Sequence, residues 1–320
     1  MRFWLILMSL GLPLGAIALE PLVEETTFEA IEQPWSIQSL VEWPNYSFYL
    51  GAPAVKGVAY QPNVNLRIGV RMVWKNIGAT LVLPLPLPEA ERTRRGDSTQ
   101  TSIVLNKYWR QHAADLYYQK FRGFYVASPW SELGNRPDRY PQLPDALVRN
   151  AGLNWYYALK PESYSLKAAF SQTEFQTKSG GSPLYTYFYN HLQVNLGSKF
   201  IVGSDPNGLQ EIPNLSSGSF DTLGAGMGYG YTFIRGRFFA TAQFALSPAL
   251  QFQHIDKSDG PDTKHLSLAA KGNLNLATGW NFKEYVAGVK VLIDSQYSKV
   301  GQTQMWSTLP VGQFFAGGRF

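Results

Sequence analysis

Residues 219–251 read SFDTLGAGMGYGYTFIRGRFFATAQFALSPALQ, and this stretch decides the fold. At every second position Leu223, Ala225, Met227, Tyr229, Tyr231 and Phe233 form an apolar face, opposite Gly224, Gly226, Gly228 and Gly230. After a tight turn at Ile234-Arg235-Gly236 the pattern returns, with Phe238, Ala240, Ala242, Phe244, Leu246 and Leu250 against Arg237, Thr241, Gln243, Ser247 and Gln251. A period of two marks extended chain. Strands of soluble sheets usually run to about five or six residues, and these are roughly twice that. Long strands with one lipid-like face and one small or polar face predict an all-β protein, a transmembrane antiparallel up-and-down β-barrel.

Composition agrees. Charged residues make up 16% of the 320 and aromatics 14%, which suits a lipid-facing wall with aromatic girdles. There is no cysteine, so the fold takes no help from disulfides. The net charge of +5 is small and scattered, with no Lys/Arg cluster of recognition spacing, which excludes nucleic acid as a partner. Arg2, the apolar run Phe3–Leu14 and the small-residue pattern Gly15-Ala16-Ile17-Ala18 predict a cleaved signal peptide over residues 1–18, hence export to a bacterial outer membrane. Residues 19–44 carry Glu20, Glu24, Glu25, Glu29, Glu32 and Glu42 with no Lys or Arg; they are expected to form an acidic periplasmic lead, or a plug folded into the lumen. The barrel is then residues 45–320.

Within it, alternation marks strands at Asn45–Gly51, Asn63–Trp74, Ile77–Leu83, Thr99–Tyr108, His112–Phe121, Leu147–Ala158, Ser163–Gln176, Leu266–Thr278, Phe282–Asp294 and Pro310–Phe320, besides the opening hairpin. Barrels of this kind have short periplasmic turns, long extracellular loops and an even strand count. Short turns at Lys75, Trp109, Lys160, Arg235 and Gly279 alternate with long loops if Tyr185–Leu196 does not span. This predicts about twelve strands, with residues 180–217 as an extracellular excursion; a spanning Tyr185–Leu196 gives about fourteen.

Five motifs carry a family resemblance: Tyr60-Gln61-Pro62-Asn63, Phe121-Arg122-Gly123-Phe124-Tyr125, Asn154-Trp155-Tyr156-Tyr157, the run FSQTEFQTKSGGS from Phe170 to Ser182, and Gly228-Tyr229-Gly230-Tyr231-Thr232-Phe233. With these the chain after Tyr46 resembles the bacterial domain-of-unknown-function family 4421, departing in Lys178-Ser179-Gly180-Gly181-Ser182 by one small residue from a Lys-Ser-Ala-Gly-Ser form. The resemblance implies an outer-membrane-type barrel and brings no catalytic residue with it. The C-terminal Phe320 on an amphipathic strand resembles the signal read by the barrel-assembly machinery.

Chemistry is sparse. The alternate glycines of Gly224–Gly230 sit inside a strand, not at the strand-to-helix turn a nucleotide loop needs; they leave room for something bulky beside the inner face. No histidine has metal-ligand spacing, and no cofactor is expected. The inward positions predict a basic lumen, with Arg67, Arg71, Lys167, Arg237, Lys271, Lys290 and Arg319 against Asp115, Glu284 and Asp294. Such a lumen attracts anions. The expected function is a narrow or plugged pore for small, anionic solutes, with outer-membrane lipid and lipopolysaccharide around it. Two alternatives stand beside it: an enzyme acting on lipid or glycan at the outer rim, with His265 and Ser267 as catalytic candidates near Asp256, Asp259 and Asp262, or a structural or adhesive barrel acting through its loops.

Overall fold

The computed structural model describes residues 27–320 apart from 52–56, 129–137, 197–199, 206–207, 213–214, 258–261 and 301–302. The expected signal peptide therefore lies outside the described residues. Fourteen antiparallel strands form one sheet: β1 (Trp35–Pro44), β2 (Ser47–Gly51), β3 (Val58–Gln61), β4 (Arg67–Trp74), β5 (Ile77–Pro84), β6 (Thr99–Tyr108), β7 (His112–Ser128), β8 (Gln142–Ala158), β9 (Gly180–Asn195), β10 (Leu215–Arg235), β11 (Phe238–Lys257), β12 (Thr263–Asn281), β13 (Tyr285–Val300) and β14 (Thr303–Arg319). One short helix, α1 (Glu89–Arg95), joins β5 to β6.

Twelve of these strands close a ring, in the order β1, β4, β5, β6 and then β7 through β14. The seam joins the first strand to the last. Val41 faces Phe314, and at the short-turn end Trp35 and Phe320 exchange backbone hydrogen bonds of 3.1 and 3.0 Å. The alternation read from the sequence holds in space: Leu223, Met227, Phe244 and Leu246 are all more than half exposed on the lipid side, while Gln243 and Gln251 are buried on the inside. Outward aromatic pairs, Trp35 with Trp74 and Trp109 with Trp155 near one end and Tyr297 with Trp306 toward the other, supply the girdles.

Toward the long-loop end the wall changes its strand count. Here β2 pairs with β14 and with β3, and β3 pairs with β7, so β4, β5 and β6 are bypassed and the circuit has ten strands. Above Arg122, β7 leaves β6; above Pro44, the chain along β14 breaks and resumes as β2. A change of partner leaves backbone groups without a ladder, and these must be paired some other way. Asn63 does much of this, donating Nδ2–H to the carbonyls of Gly96 (2.8 Å) and Glu91 (3.1 Å), while its N–H donates to Ser98 Oγ (2.7 Å). Ser98 Oγ then donates to the Gly123 carbonyl at 2.9 Å. Gly123 has φ +81, and a Cβ there would lie 2.2 Å from the Asp97 carbonyl oxygen, so only glycine fits this bulge. On α1's outer side the Arg92 guanidinium grips Asp97 with two bonds and holds its carboxyl below the usual carboxylate range.

Three expectations are corrected. Residues 35–44, read as part of an acidic lead, are strand β1; Ser39 faces out and Leu40 in, which blurs the alternation. Tyr185–Leu196 belongs almost wholly to the spanning strand β9, in register with β8 and β10, so the excursion shrinks to the small hairpin Phe200–Asp205 with Gly208–Ile212. Ser163–Gln176 does not span: it turns into the lumen as a π-helical turn, Lys167–Ser171, followed by the short strand Glu174–Gln176. With Asn45–Gly51 serving as β2 outside the twelve-strand ring, two expected strands are lost to it and two, β1 and β9, are gained, which kept the count at twelve.

Gly123→Ala should strain the bulge where the two circuits meet and cost about 1–3 kcal/mol. The check is urea unfolding of the refolded barrel followed by gel mobility, where the midpoint should fall below that of an Ala151→Gly control on the same sheet.

Candidate functional site

Along its axis the lumen has three layers. At the long-loop end the ten-strand circuit is filled by inward apolar side chains, among them Tyr46, Phe48, Val58, Tyr60, Phe121, Val126, Leu192 and Phe220. A narrower ring has less interior to fill, and large apolar residues fill it.

At the short-turn end the connection between β8 and β9 enters the barrel as a plug. Tyr164 and Leu166 are fully buried, and Phe170 stacks on Tyr108 (5.9 Å between ring centres) and lies near Tyr156 (6.4 Å). A Cβ on Gly230 would stand 2.5 Å from the Tyr164 ring, so this glycine makes the room the tyrosine occupies, while Gly224 on the same face makes room for the Phe188 ring. Polar contacts fix the rest. Arg319 Nη2 donates to the Gln172 carbonyl (2.6 Å) and to Asn281 Oδ1 (2.8 Å); Arg110 pairs with Glu174 at 2.8 Å, and Ser165 Oγ donates to the same carboxylate at 2.5 Å. From the lead, Phe28–Ala30 pairs with Glu174–Gln176 beneath the plug, and the Thr27 carbonyl accepts from Thr177 N–H and Oγ1, both at 2.9 Å.

Between plug and apolar seal lies a polar cavity of about 200 Å³. Most of its charge is paired across neighbouring strands. Arg67 Nη2 meets Glu42 Oε2 at 2.7 Å with both side chains buried, and Gln313 Nε2 donates to Glu42 Oε1 at 2.5 Å. Lys271 Nζ donates to Asn154 Oδ1 (2.8 Å) and to Asp294 Oδ2 (3.0 Å), which also accepts from Asn273 (3.0 Å). Asp115 accepts from the Tyr108 hydroxyl at 2.7 Å.

Of the predicted lumen residues, Arg67, Arg71, Asp115, Lys271, Lys290 and Asp294 line this cavity together. Arg319 is inside but serves the plug. Lys167 sits on the plug itself; Arg237, over the Phe175 ring, and Glu284 are exposed at the short-turn mouth. Glu42 and Glu174 were missed. Glu42 was hidden in the one-sided charge of the presumed lead, and Glu174 in a presumed strand.

At the rim, His265 is exposed and Ser267 Oγ donates to the Leu268 carbonyl at 3.3 Å, so the two are not joined. Asp256 and Asp262 approach His254 instead, at 3.2 and 3.6 Å, and Asp259 lies outside the described residues. This histidine–aspartate group is the one set among the described residues with metal-ligand geometry, and it is open to solvent.

A sequence profile described as Domain of unknown function (DUF4421) matches residues 47–320. No curated protein matches the chain. Among solved structures, the outer membrane protease OmpT of Escherichia coli aligns at 8% identity and TM-score 0.38, over 92% of this chain and 98% of that one. The β domain of the Bordetella autotransporter BrkA gives 9% and 0.37, over 88% and 99%. The Pseudomonas putida toluene transporter TodX gives 10% and 0.25, over 91% and 93%. At these scores the likeness is one of barrel architecture and goes no further.

Removing one member of a buried ion pair leaves the other uncompensated, at a cost of about 3–5 kcal/mol. Arg67→Met should therefore destabilise strongly, and Arg67→Met with Glu42→Leu should recover most of the loss in a double-mutant unfolding cycle.

Proposed function

Because the chain belongs to the DUF4421 family and folds as an outer-membrane β-barrel with its own residues in the lumen, we propose that it is an occluded pore for small, anionic solutes, closed at rest by the segment between β8 and β9. The observation that carries this reading is the plug itself. A merely structural barrel can fill its interior with wall side chains, as the long-loop end does here. Instead the short-turn end is stopped by a separate segment that packs Tyr164, Leu166 and Phe170 into the lumen and is tied to the wall by polar contacts, among them Arg319 with Gln172 and Arg110 with Glu174. Behind it is a cavity lined by Arg67, Arg71, Lys271 and Lys290 against Glu42, Asp115 and Asp294, an excess of positive charge that favours anions. Passage requires both the plug and the apolar seal to yield.

The lipid-facing belt supports residence in a bacterial outer membrane, among lipid and lipopolysaccharide, after insertion by the barrel-assembly machinery. The rim reading has weaker support, since His265 and Ser267 do not form a catalytic pair.

The plug can be removed without breaking the wall. Leu159 N–H donates to the Pro183 carbonyl at 3.0 Å and Lys160 N–H to Ser182 Oγ at 2.8 Å, so a two-residue turn can join the strands directly. In planar bilayers the intact protein should be silent or open rarely, and a variant with residues 162–178 replaced by Asn-Gly and the apolar seal opened by Phe48→Ala, Phe121→Ala and Phe220→Ala should pass a steady anion-selective current. Silence from both proteins would defeat the pore reading.

A further inference from the structure

The inner wall of β13, β14, β1 and β4 carries a row of polar residues in direct register. Lys290 faces Gln313, Gln313 faces Glu42, and Glu42 faces Arg67. Four residues along the same two strands, on the same face, Gln38 faces Arg71. The hydrogen bonds within this row leave its donors in surplus. Gln313 is the cross-strand neighbour of Lys290, yet its amide is engaged elsewhere, donating to Glu42 and accepting from Arg71 at 3.3 Å. Lys290 itself, 5% exposed, makes no hydrogen bond and no ion pair among the described residues; its amine stands 5.3 Å from the centre of the Phe170 ring and lines the cavity.

Its neighbours share the condition. The Arg71 guanidinium reaches only neutral acceptors, Gln38, Thr80 and Gln313, all at 3.3–3.4 Å. Arg67 spends Nη2 on Glu42, while its Nε and Nη1, and Nε2 of Gln38, have no protein acceptor. Two of the cavity's three carboxylates are taken up, by Arg67 and by Lys271; Asp115 accepts from the Tyr108 hydroxyl and holds its carboxylate near Lys290 and Arg71, but accepts a hydrogen bond from neither. A buried cation without a hydrogen-bonded counter-charge is costly, and so is a buried donor without an acceptor. One ligand chemistry meets all these needs at once: a compact group with several acceptor oxygens and a negative charge.

We propose that Lys290, Arg71 and the free edge of Arg67 form a binding site for a small oxyanion, a phosphate-like or carboxylate group, inside the closed barrel. The cavity of about 200 Å³ is the share of six or seven waters, enough for such a group and a short organic remainder. The site deepens the pore reading, on which it rests for its route of access. It also lies against the gate, because the Phe170 ring beneath Lys290 belongs to the plug. An anion that draws the amine toward itself weakens that cation–ring contact, and so couples occupancy to the plug.

The test is calorimetric titration of the full chain, refolded into detergent micelles, with sodium phosphate, sulfate and acetate at an ionic strength held constant with chloride. Saturable binding of at least one is expected, tetrahedral ions ahead of acetate if the natural ligand is phosphate-like and the reverse if it is a carboxylate. Lys290→Met should weaken it by about tenfold or more. Lys290→Arg should retain it, and Lys264→Met at the exposed rim should leave it unchanged. Lys290→Met strands no partner, so the variant is expected to refold as wild type does. No saturable heat from any of the three anions, or equal affinity in Lys290→Met, would overturn the site. The two proposals fail separately: conduction by the plug-replaced barrel with unaltered binding in Lys290→Met removes the site and keeps the pore. Silence of that barrel with binding lost in Lys290→Met does the opposite.

Discussion

A sheet in hydrocarbon cannot leave an edge, because every unpaired N–H and C=O facing lipid costs several kcal/mol. The wall of this protein meets that requirement twice, with twelve strands toward the short turns and ten toward the long loops. The change of count is the source of much that follows. Where β4, β5 and β6 stop, something other than a ladder has to hold the ends of the sheet, and Asn63, Ser98 and the bulge at Gly123 do so. Three prolines, Pro84, Pro86 and Pro88, suit the same place, since they have no N–H to leave unpaired.

The two circuits also set what the interior can contain. The smaller closes over apolar side chains; the larger encloses more space than wall residues fill, and the chain supplies a plug for part of it. Between them the remaining space is polar, and its charges sit on adjacent strands, where a cross-strand neighbour is the natural partner. The motifs on which the family resemblance rests fall on these same features. Tyr60–Asn63 and Phe121–Tyr125 are at the junction of circuits, Phe170–Ser182 is the plug and the start of β9, Asn154 holds Lys271, and Gly230 makes room for Tyr164.

The lipid-facing wall was legible because lipid imposes a strict period of two on everything that touches it. Leu223 to Phe233 and Leu266 to Leu276 needed no more than that pattern. The plug misled for the same reason: Tyr164, Leu166, Ala168 and Phe170 also recur at every second residue, but they pack against the lumen instead of lipid. Tyr185, Tyr187 and Tyr189 carried an equal signal for β9, and turn parity chose between two candidates that periodicity could not separate. In the site, the residue types facing inward could be read, but not their pairings. Whether Lys271 meets Asp294, or Lys290 meets the Phe170 ring and no carboxylate, depends on the register of paired strands and on where the plug settles, and composition does not encode it.

The contact between Arg319 and Gln172 bears on the order in which the molecule is made. The plug joins adjacent strands, so its loop closes over a short stretch of chain, whereas the seam between β1 and β14 joins residues almost the whole chain apart. Local closures form before distant ones. A segment as bulky as Tyr164–Phe170 is therefore expected to reach the lumen while the cylinder is still an open, curling sheet, and once the wall has closed it can leave or return only through the short-turn mouth. The last strand then arrives on an interior already in place, and its penultimate residue fastens to that interior as its backbone completes the wall. Sealing the cylinder and latching its contents are one event, and the latch that Arg319 makes then is also the contact that must break when the plug yields.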